Sequence, residues 1–415
     1  MTRLPRQVWL LGGVSFFADV SSEMIYPLIP LFVVAVLGAS TTDMGWIEGV
    51  AQAVVALMTA YAGVRSDRFR RRLPWVRWGY GLPVIGKAIL AAAFAWPLVL
   101  LGRTVDRVGK GFRSSPRDAL IADVTPDSSR GRAFGLHRAM DTAGALVGAL
   151  AAAGLLRWLT TSVNVDARPY RVIFAIAATM GIAAVALTFF VREAPHPESQ
   201  PVPASGGRLA LPRSYWLVLA MLVVFALANS SDTFLLLRAT HVGLSPWRVA
   251  AVYAVYNVVY ALGSYPAGAL SDRLGRWGVI GVGWTIYAAV YAGVAVSDAT
   301  TIWPLFAIYG LYMALTDGVG KALIADHAPP EHRGRALGVF YLATGLTTLA
   351  SSVIAGVLWD RVDPSAPFWL GAAAAALAVM ILVVARAMKL LTPSTSGSVV
   401  HAGSGPLPER PRRPR

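Results

Sequence analysis

The chain has no cysteine, which excludes a disulfide framework and any thiolate metal site. Charge is scarce as well: Asp, Glu, Lys and Arg make up 14% of the 415 residues, against about a quarter in soluble domains. There are six histidines, and neither His nor Met recurs at a spacing that would hold or pass a soft metal. No metal or cofactor is implied. Acids are the scarcer sign, with 22 Asp+Glu against 37 Lys+Arg and a net charge of +15. That excess could suit nucleic acid, but the cations gather in short connections between apolar runs, the pattern of the positive-inside rule. The chain is read as having no nucleic-acid partner. A nucleotide loop is missing too: Gly81 to Lys87 approximates one, but Ala88 stands where Ser or Thr would bind, within an apolar run. Nor does any nucleophile–base constellation appear, so the sequence does not describe an enzyme.

What is present is apolar. Hydrophobic residues make up 56% of the chain, and about twelve segments reach spanning length. They lie near 8–37, 44–64, 74–96, 98–121, 131–157, 169–191, 214–238, 246–270, 276–297, 301–325, 334–359 and 364–388. The N-terminal run lacks a small-residue cleavage site and is interrupted by Asp19 and Glu23, so it reads as a retained span. Arginines crowd the connections at 65–77, 128–132, 192–213, 273–276 and 333–335, whereas 38–45 and 297–301 have no Lys or Arg. Both termini are therefore expected in the cytoplasm, with the protein in the cell's inner membrane. The expected division is a first half (1–191), a Pro/Ser/Gly-rich linker (192–213), a second half (214–389) and a disordered basic tail (390–415) near anionic lipid.

One span departs furthest from a plain apolar helix. From Arg103 to Asp118, at ~100° per residue, Arg103, Asp106, Arg107, Lys110, Arg113, Ser114, Arg117 and Asp118 fall on one arc of roughly 140°. A cation facing lipid at mid-bilayer costs at least ~2.5–3.5 kcal/mol, so this face must meet a wet cavity or an ion-pair network inside a bundle. Arg103, Arg107, Lys110 and Arg117 are candidate ligands for an anionic substrate group.

The chain also repeats itself. ALIADVTPDSSRGRAFG (119–135) returns as ALIADHAPPEHRGRALG (322–338), offset 203 (322 − 119), and GVRSDR (63–68) returns as GALSDR (268–273), offset 205 (268 − 63). FADVSSEMIYPL (17–28) is echoed by ALANSSDTFLLL (226–237), setting Glu23 opposite Asp232. Two parallel six-span halves follow, with a site at their junction near mid-membrane.

At these residues the chain resembles the major facilitator superfamily. Gly63-x-x-x-Asp67-Arg68 with Arg71 and Arg72 matches the family's pattern between spans two and three, and Gly268-x-x-x-Asp272-Arg273-x-Gly275-Arg276 is its second copy. Where the pattern has Gly two after the first Arg, the first copy has Arg70 and the second Gly275. Arg107 before Gly109-Lys110-Gly111 matches the fourth-span pattern, and Gly144-x-x-x-Gly148 resembles the antiporter motif without its usual Pro. The resemblance implies an all-α membrane protein of twelve helices in two pseudo-symmetric halves, a secondary transporter and not an enzyme. It also implies that Gly63, Asp67, Arg68, Gly268, Asp272, Arg273, Gly144 and Gly148 serve conformational change.

On the first span Ser15, Asp19, Ser22, Glu23 and Tyr26 share a face, with Asp19 and Glu23 one turn apart. Close carboxylates, partly desolvated, are suited to carrying protons. Asp19, Glu23 and Asp232 are the coupling candidates, and permanent pairing with the basic stripe is the alternative. The second half offers Asn229, Tyr253, Tyr256, Asn257 and Tyr260, with Asp317 and Lys321 spaced i, i+4. Tyr26, Asn229, Asp317 and Lys321 complete the expected substrate site, a basic wall facing an aromatic one. The expected partners are lipid, protons and a small amphipathic or anionic molecule, handled by a monomer. Proton-coupled export leads, uptake or exchange of an anionic metabolite is second, and a non-transporting receptor or scaffold is third.

Overall fold

A computed structural model describes residues 4–69, 72–126, 129–160, 166–193, 211–329 and 333–388. Among them the chain forms twelve long helical segments and no strand. They are α1 (Arg6–Val36), α2 (Thr41–Phe69), α3 (Leu73–Ala92), α4 (Trp96–Asp123), α5 (Arg130–Leu159) and α6 (Ala167–Thr188). The second six are α7 (Arg213–His241), α8 (Pro246–Leu274), α9 (Arg276–Ala295), α10 (Ile302–Asp326), α11 (Arg333–Arg361) and α12 (Ala366–Ala387). Among the described residues eight are long and apolar enough to cross a bilayer by composition alone. The other four, α2, α3, α4 and α8, run 29, 20, 28 and 29 residues. At ~1.5 Å per residue each of these also reaches across a ~30 Å hydrocarbon core.

Local chemistry sets several boundaries. The Asp166 side chain accepts from the Arg168 amide (3.0 Å) and caps α6. The Glu193 carboxylate, just beyond α6, accepts from the Arg72 and Leu73 amides (2.6 and 3.4 Å) and so holds the start of α3. Gly275 has φ +83° between α8 and α9, a left-handed turn that costs glycine nothing. This accounts for the glycine of the second motif copy. Arg70, its counterpart in the first, lies outside the described residues.

The two halves pack by one scheme. In the first, α1 meets α5 and α6, α2 meets α4, and α3 meets α4 and α6. In the second, α7 meets α11 and α12, α8 meets α10, and α9 meets α10 and α12. The halves join through α2 with α11 and α5 with α8, two contacts that exchange under the same symmetry.

These contacts are not uniform along the bundle. A Cβ built on Gly45 would lie 2.4 Å from the Ser352 carbonyl, and one on Gly356 2.6 Å from that of Thr41. Further along, Gly345 would meet Ala56 at 3.0 Å and Gly338 would meet Ala60 only at 4.0 Å. Helices α2 and α11 thus touch backbone to backbone at the end remote from the termini and splay toward the end that carries them.

Candidate functional site

Helix α4 supplies the basic stripe because glycines let its neighbours close on it. A Cβ on Gly109 would fall 2.4 Å from Pro83 Cδ of α3, and one on Gly111 2.5 Å from Met58 Cβ of α2. Buried at this packing, the cations must find partners. Near the closed end Arg103 donates from Nε (2.9 Å) and Nη2 (2.5 Å) to Glu48 Oε1 of α2. Glu48 is 0% exposed. Lys87 Nζ of α3 donates to Asp106 Oδ1 at 3.1 Å, and Arg107 Nη1 stands 3.7 Å from Asp106 Oδ2. Closer to the open end Arg113 lies 3.8 Å from Asp19 and its guanidinium carbon 4.6 Å from the Tyr80 ring centroid. Arg117 pairs with Asp118 (2.9 Å) and reaches Ser15 Oγ (3.3 Å), which also sits 2.8 Å from His137 Nε2.

The four cations expected to bind substrate therefore differ. Arg103 and Arg117 are committed to carboxylates. Arg107 is buried, and its Nε has no hydrogen-bond partner. Lys110 is exposed, although it sits in the middle of a buried helix.

The acids of α1 separate in the same way. Asp19 faces Arg113, while Glu23 Oε2 accepts from Tyr253 OH of α8 at 2.8 Å, across the two halves. Glu23 and Asp232 occupy equivalent breaks. The regular part of α1 ends at Glu23, and α7 is interrupted between Ala228 and Thr233, with Asp232 at the start of its second part. Asp232 Oδ1 likewise accepts a tyrosine hydroxyl, from Tyr309 of α10 at 2.6 Å. Among the described residues neither carboxylate has a cation within ion-pair distance. Interrupted helices with polar groups at the break are where transporters of this repeat type place their sites.

Around these acids the second half is aromatic. The Tyr253, Tyr256 and Tyr309 rings follow one another at 5.4 and 5.6 Å. Tyr26 bridges the halves, 5.3 Å from the Tyr253 ring and 5.7 Å beneath the Arg103 guanidinium. Asn229 donates to Tyr312 OH (3.4 Å), and its buried Oδ1 has no partner. Asp317 is held by Lys321 (2.8 Å) and by Tyr260 OH (2.9 Å), which also receives Arg138 Nη2 from the first half (3.2 Å).

The conformational candidates divide as well. Gly144 and Gly148 seat α5 against α1, where added Cβ atoms would meet the Phe16 and Val20 carbonyls at 2.4 and 2.6 Å. A Cβ on Gly63 would meet Ser115 Oγ at 3.1 Å, whereas one on Gly268 would meet nothing within 4 Å. The Asp67 and Arg68 side chains lie outside the described residues. The Asp272 side chain is 72% exposed and stands 3.9 Å from Arg276, and Arg273 is exposed. Sequence reasoning missed the carboxylates that close these connections. Arg72 pairs with Asp123, and Arg276 with Asp326. Both aspartates end the repeated ALIAD string, so the repeat itself carried the signal. Glu48 was also missed.

A family model described as the Major Facilitator Superfamily matches residues 11–256 and 219–414. An uncharacterized MFS-type transporter of Methanocaldococcus jannaschii is 34% identical over 388 residues, 92% of this chain and 95% of that protein. The class C tetracycline resistance protein of Escherichia coli is 26% identical over 408 residues, covering 92% and 95% of the two chains. In fold, a crystal structure of a mutant of the nucleoside transporter NupG superposes with a TM-score of 0.77 at 12% identity, over 91% of this chain and 99% of that one.

Proposed function

This chain belongs to the major facilitator superfamily, and from that premise we propose that it is a proton-coupled exporter of small amphipathic or anionic organic compounds. As a member of that family it is a multi-pass membrane transporter. In our reading a single chain works by alternating access in the inner membrane, both termini cytoplasmic. Its halves, 1–191 and 214–389, rock about the junction that holds Glu23 and Asp232.

The observation that carries the substrate class is the contrast within the stripe. Arg103 is neutralised by Glu48, whereas Arg107 keeps a buried Nε without a partner and Lys110 is exposed. Lys110 and Arg107, which stands 3.7 Å from an Asp106 that already accepts from Lys87, are the cations with donors to spare for an anionic group. The tyrosine wall opposite suits an apolar or aromatic body. Coupling rests on Glu23 and Asp232. A carboxylate held by a tyrosine hydroxyl and no cation can take up a proton without abandoning an ion pair. Asp19, with Arg113 beside it, is the less suited of the three. The direction rests on the likeness to the tetracycline resistance protein, along most of both chains.

Uptake or exchange of an anionic metabolite is the second reading, and the exposed Lys110 and the unpartnered Nε of Arg107 favour it too. The two separate in proteoliposomes. Compounds that raise the melting temperature would be chosen from a panel of aromatic carboxylates, sulfonates and phosphates, then tested for flux. Export by antiport predicts that an acid-inside proton gradient alone drives their accumulation, whereas proton-linked uptake needs the acid outside. Flux that requires a second anion on the opposite side, and ignores the gradient, would replace export with exchange.

A further inference from the structure

Away from the central site, where the start of α1 meets the end of α6, lies a cavity of about 230 Å³ lined by Arg6, Gln7, Leu10, Phe189, Phe190 and Arg192. At about 30 Å³ per water this is room for a headgroup, not for a single ordered water. We propose that it is a binding site for one anionic phospholipid, its phosphate held by Arg6 and Arg192 and its chains lying along the neighbouring aromatics.

The lining has two chemistries in one place. Arg6 and Arg192 are both exposed, and among the described residues no carboxylate lines the cavity. Two cations brought together with no acid between them repel each other unless an anion intervenes. Gln7 is fixed through its Oε1, which accepts from the Arg192 amide at 3.1 Å and leaves its amide nitrogen to donate. The carbonyls that end α6 would repel an anion, but they are occupied. The amides of Phe189, Phe190 and Val191 donate to Ala186, Leu187 and Thr188 at 3.1–3.2 Å.

The apolar part separates a lipid from a soluble anion. Phe189 and Phe190 are each 63% exposed and Trp9, one turn into α1, is 54% exposed. Aromatic rings at a helix end mark the level of the headgroups. Phe189 is held from behind by Arg77, whose guanidinium carbon is 4.9 Å from the ring centroid and whose buried Nε has no partner. That adds a third positive charge behind the wall. Basic pockets between membrane helices, flanked by exposed apolar surface, fit lipid headgroups. The ligand chemistry holds for either leaflet, and only the leaflet depends on the proposed orientation of the termini.

The test uses the full chain in nanodiscs of phosphatidylcholine containing phosphatidylglycerol, with lipids retained after gentle release counted by native mass spectrometry. The wild type should keep one phosphatidylglycerol that Arg6→Gln with Arg192→Gln loses, with retention falling roughly five-fold per arginine. Arg386→Gln, an exposed cation on α12, should change nothing. Equal retention by wild type and double variant, or equal loss in the Arg386→Gln control, would overturn the site. Inorganic phosphate and glycerol phosphate form the soluble arm. If they raise the melting temperature as much as phosphatidylglycerol does, through the same two arginines, the site takes free phosphate and the lipid assignment fails.

Discussion

The Asp360 carboxylate, at the end of α11, caps the first turn of α2 from the opposite half. It accepts from the Thr41 amide and hydroxyl (3.2 and 2.5 Å) and from the Thr42 amide and hydroxyl (2.8 and 2.5 Å). An N-cap normally comes from its own helix. Supplied from the other half, it ties helix capping to closure of the bundle. Opening this end must break all four hydrogen bonds and uncover the α2 N-terminus, with its positive dipole end.

Asp360→Ala should therefore shift the chain toward the state open at this end. The cost of a lost cap, about 1 kcal/mol, corresponds to roughly a five-fold shift in population. The absence of native cysteine makes the measurement direct. Leu349→Cys places a single thiol at the seam, where the Leu349 side chain faces Gly49, and its labelling by a maleimide should speed up several-fold in the Asp360→Ala background. An unchanged rate would mean that the cap does not govern closure.

The Glu48–Arg103 pair makes a stability prediction. Removing one partner of a buried pair leaves an uncompensated charge and costs about 3–5 kcal/mol. Glu48→Gln should lower the melting temperature markedly, and Glu48→Leu with Arg103→Met should recover most of the loss. Should Glu48→Gln keep its melting temperature and lose substrate binding, Arg103 would return as a ligand.

Arg107 separates a substrate site from a gate. If it grips an anion, Arg107→Lys should weaken binding, since an ammonium cannot reproduce a guanidinium fork, and Arg107→Ala should weaken it further. Binding should also fall as salt rises. If Arg107 serves instead as a gate charge beside Asp106, Arg107→Gln should lose stability with affinity little changed. Melting temperature and affinity of the three single variants decide between them.

Topology is checked independently. Reporter fusions after residues 70, 130, 205 and 400 should report cytoplasm, and fusions near 41 and 299 the other side. A fusion at 205 reporting the far side would break the division into two six-helix halves.

Much of this was legible because membrane helices write their burial into composition. Twelve apolar runs, a nearly constant offset between repeats and a one-sided basic stripe lead to the fold with little ambiguity. The site was legible only as a set of faces. Helical periodicity puts Arg103, Arg107 and Lys110 on one arc, but partner choice depends on which helix lies opposite. Glu48 stands outside the motif that its span carries at the other end, and only the α2–α4 packing makes it the partner of Arg103. Asp360 carries no signal in the sequence, since its four donors are some 320 residues away. The break in α7 was half visible, as the echo between FADVSSEMIYPL and ALANSSDTFLLL. Its meaning, two acids each held by a tyrosine of the second half, needed the third dimension.

Coupling at Glu23 is the centre of the account. The most direct measurement compares wild type and Glu23→Gln in proteoliposomes, using a labelled compound selected by thermal shift. It reads accumulation driven by a proton gradient, and counterflow without one. The account predicts that Glu23→Gln abolishes gradient-driven accumulation and leaves counterflow largely intact, because the alternating motion survives while the proton site is lost. Accumulation that persists in Glu23→Gln at the wild-type level would contradict it.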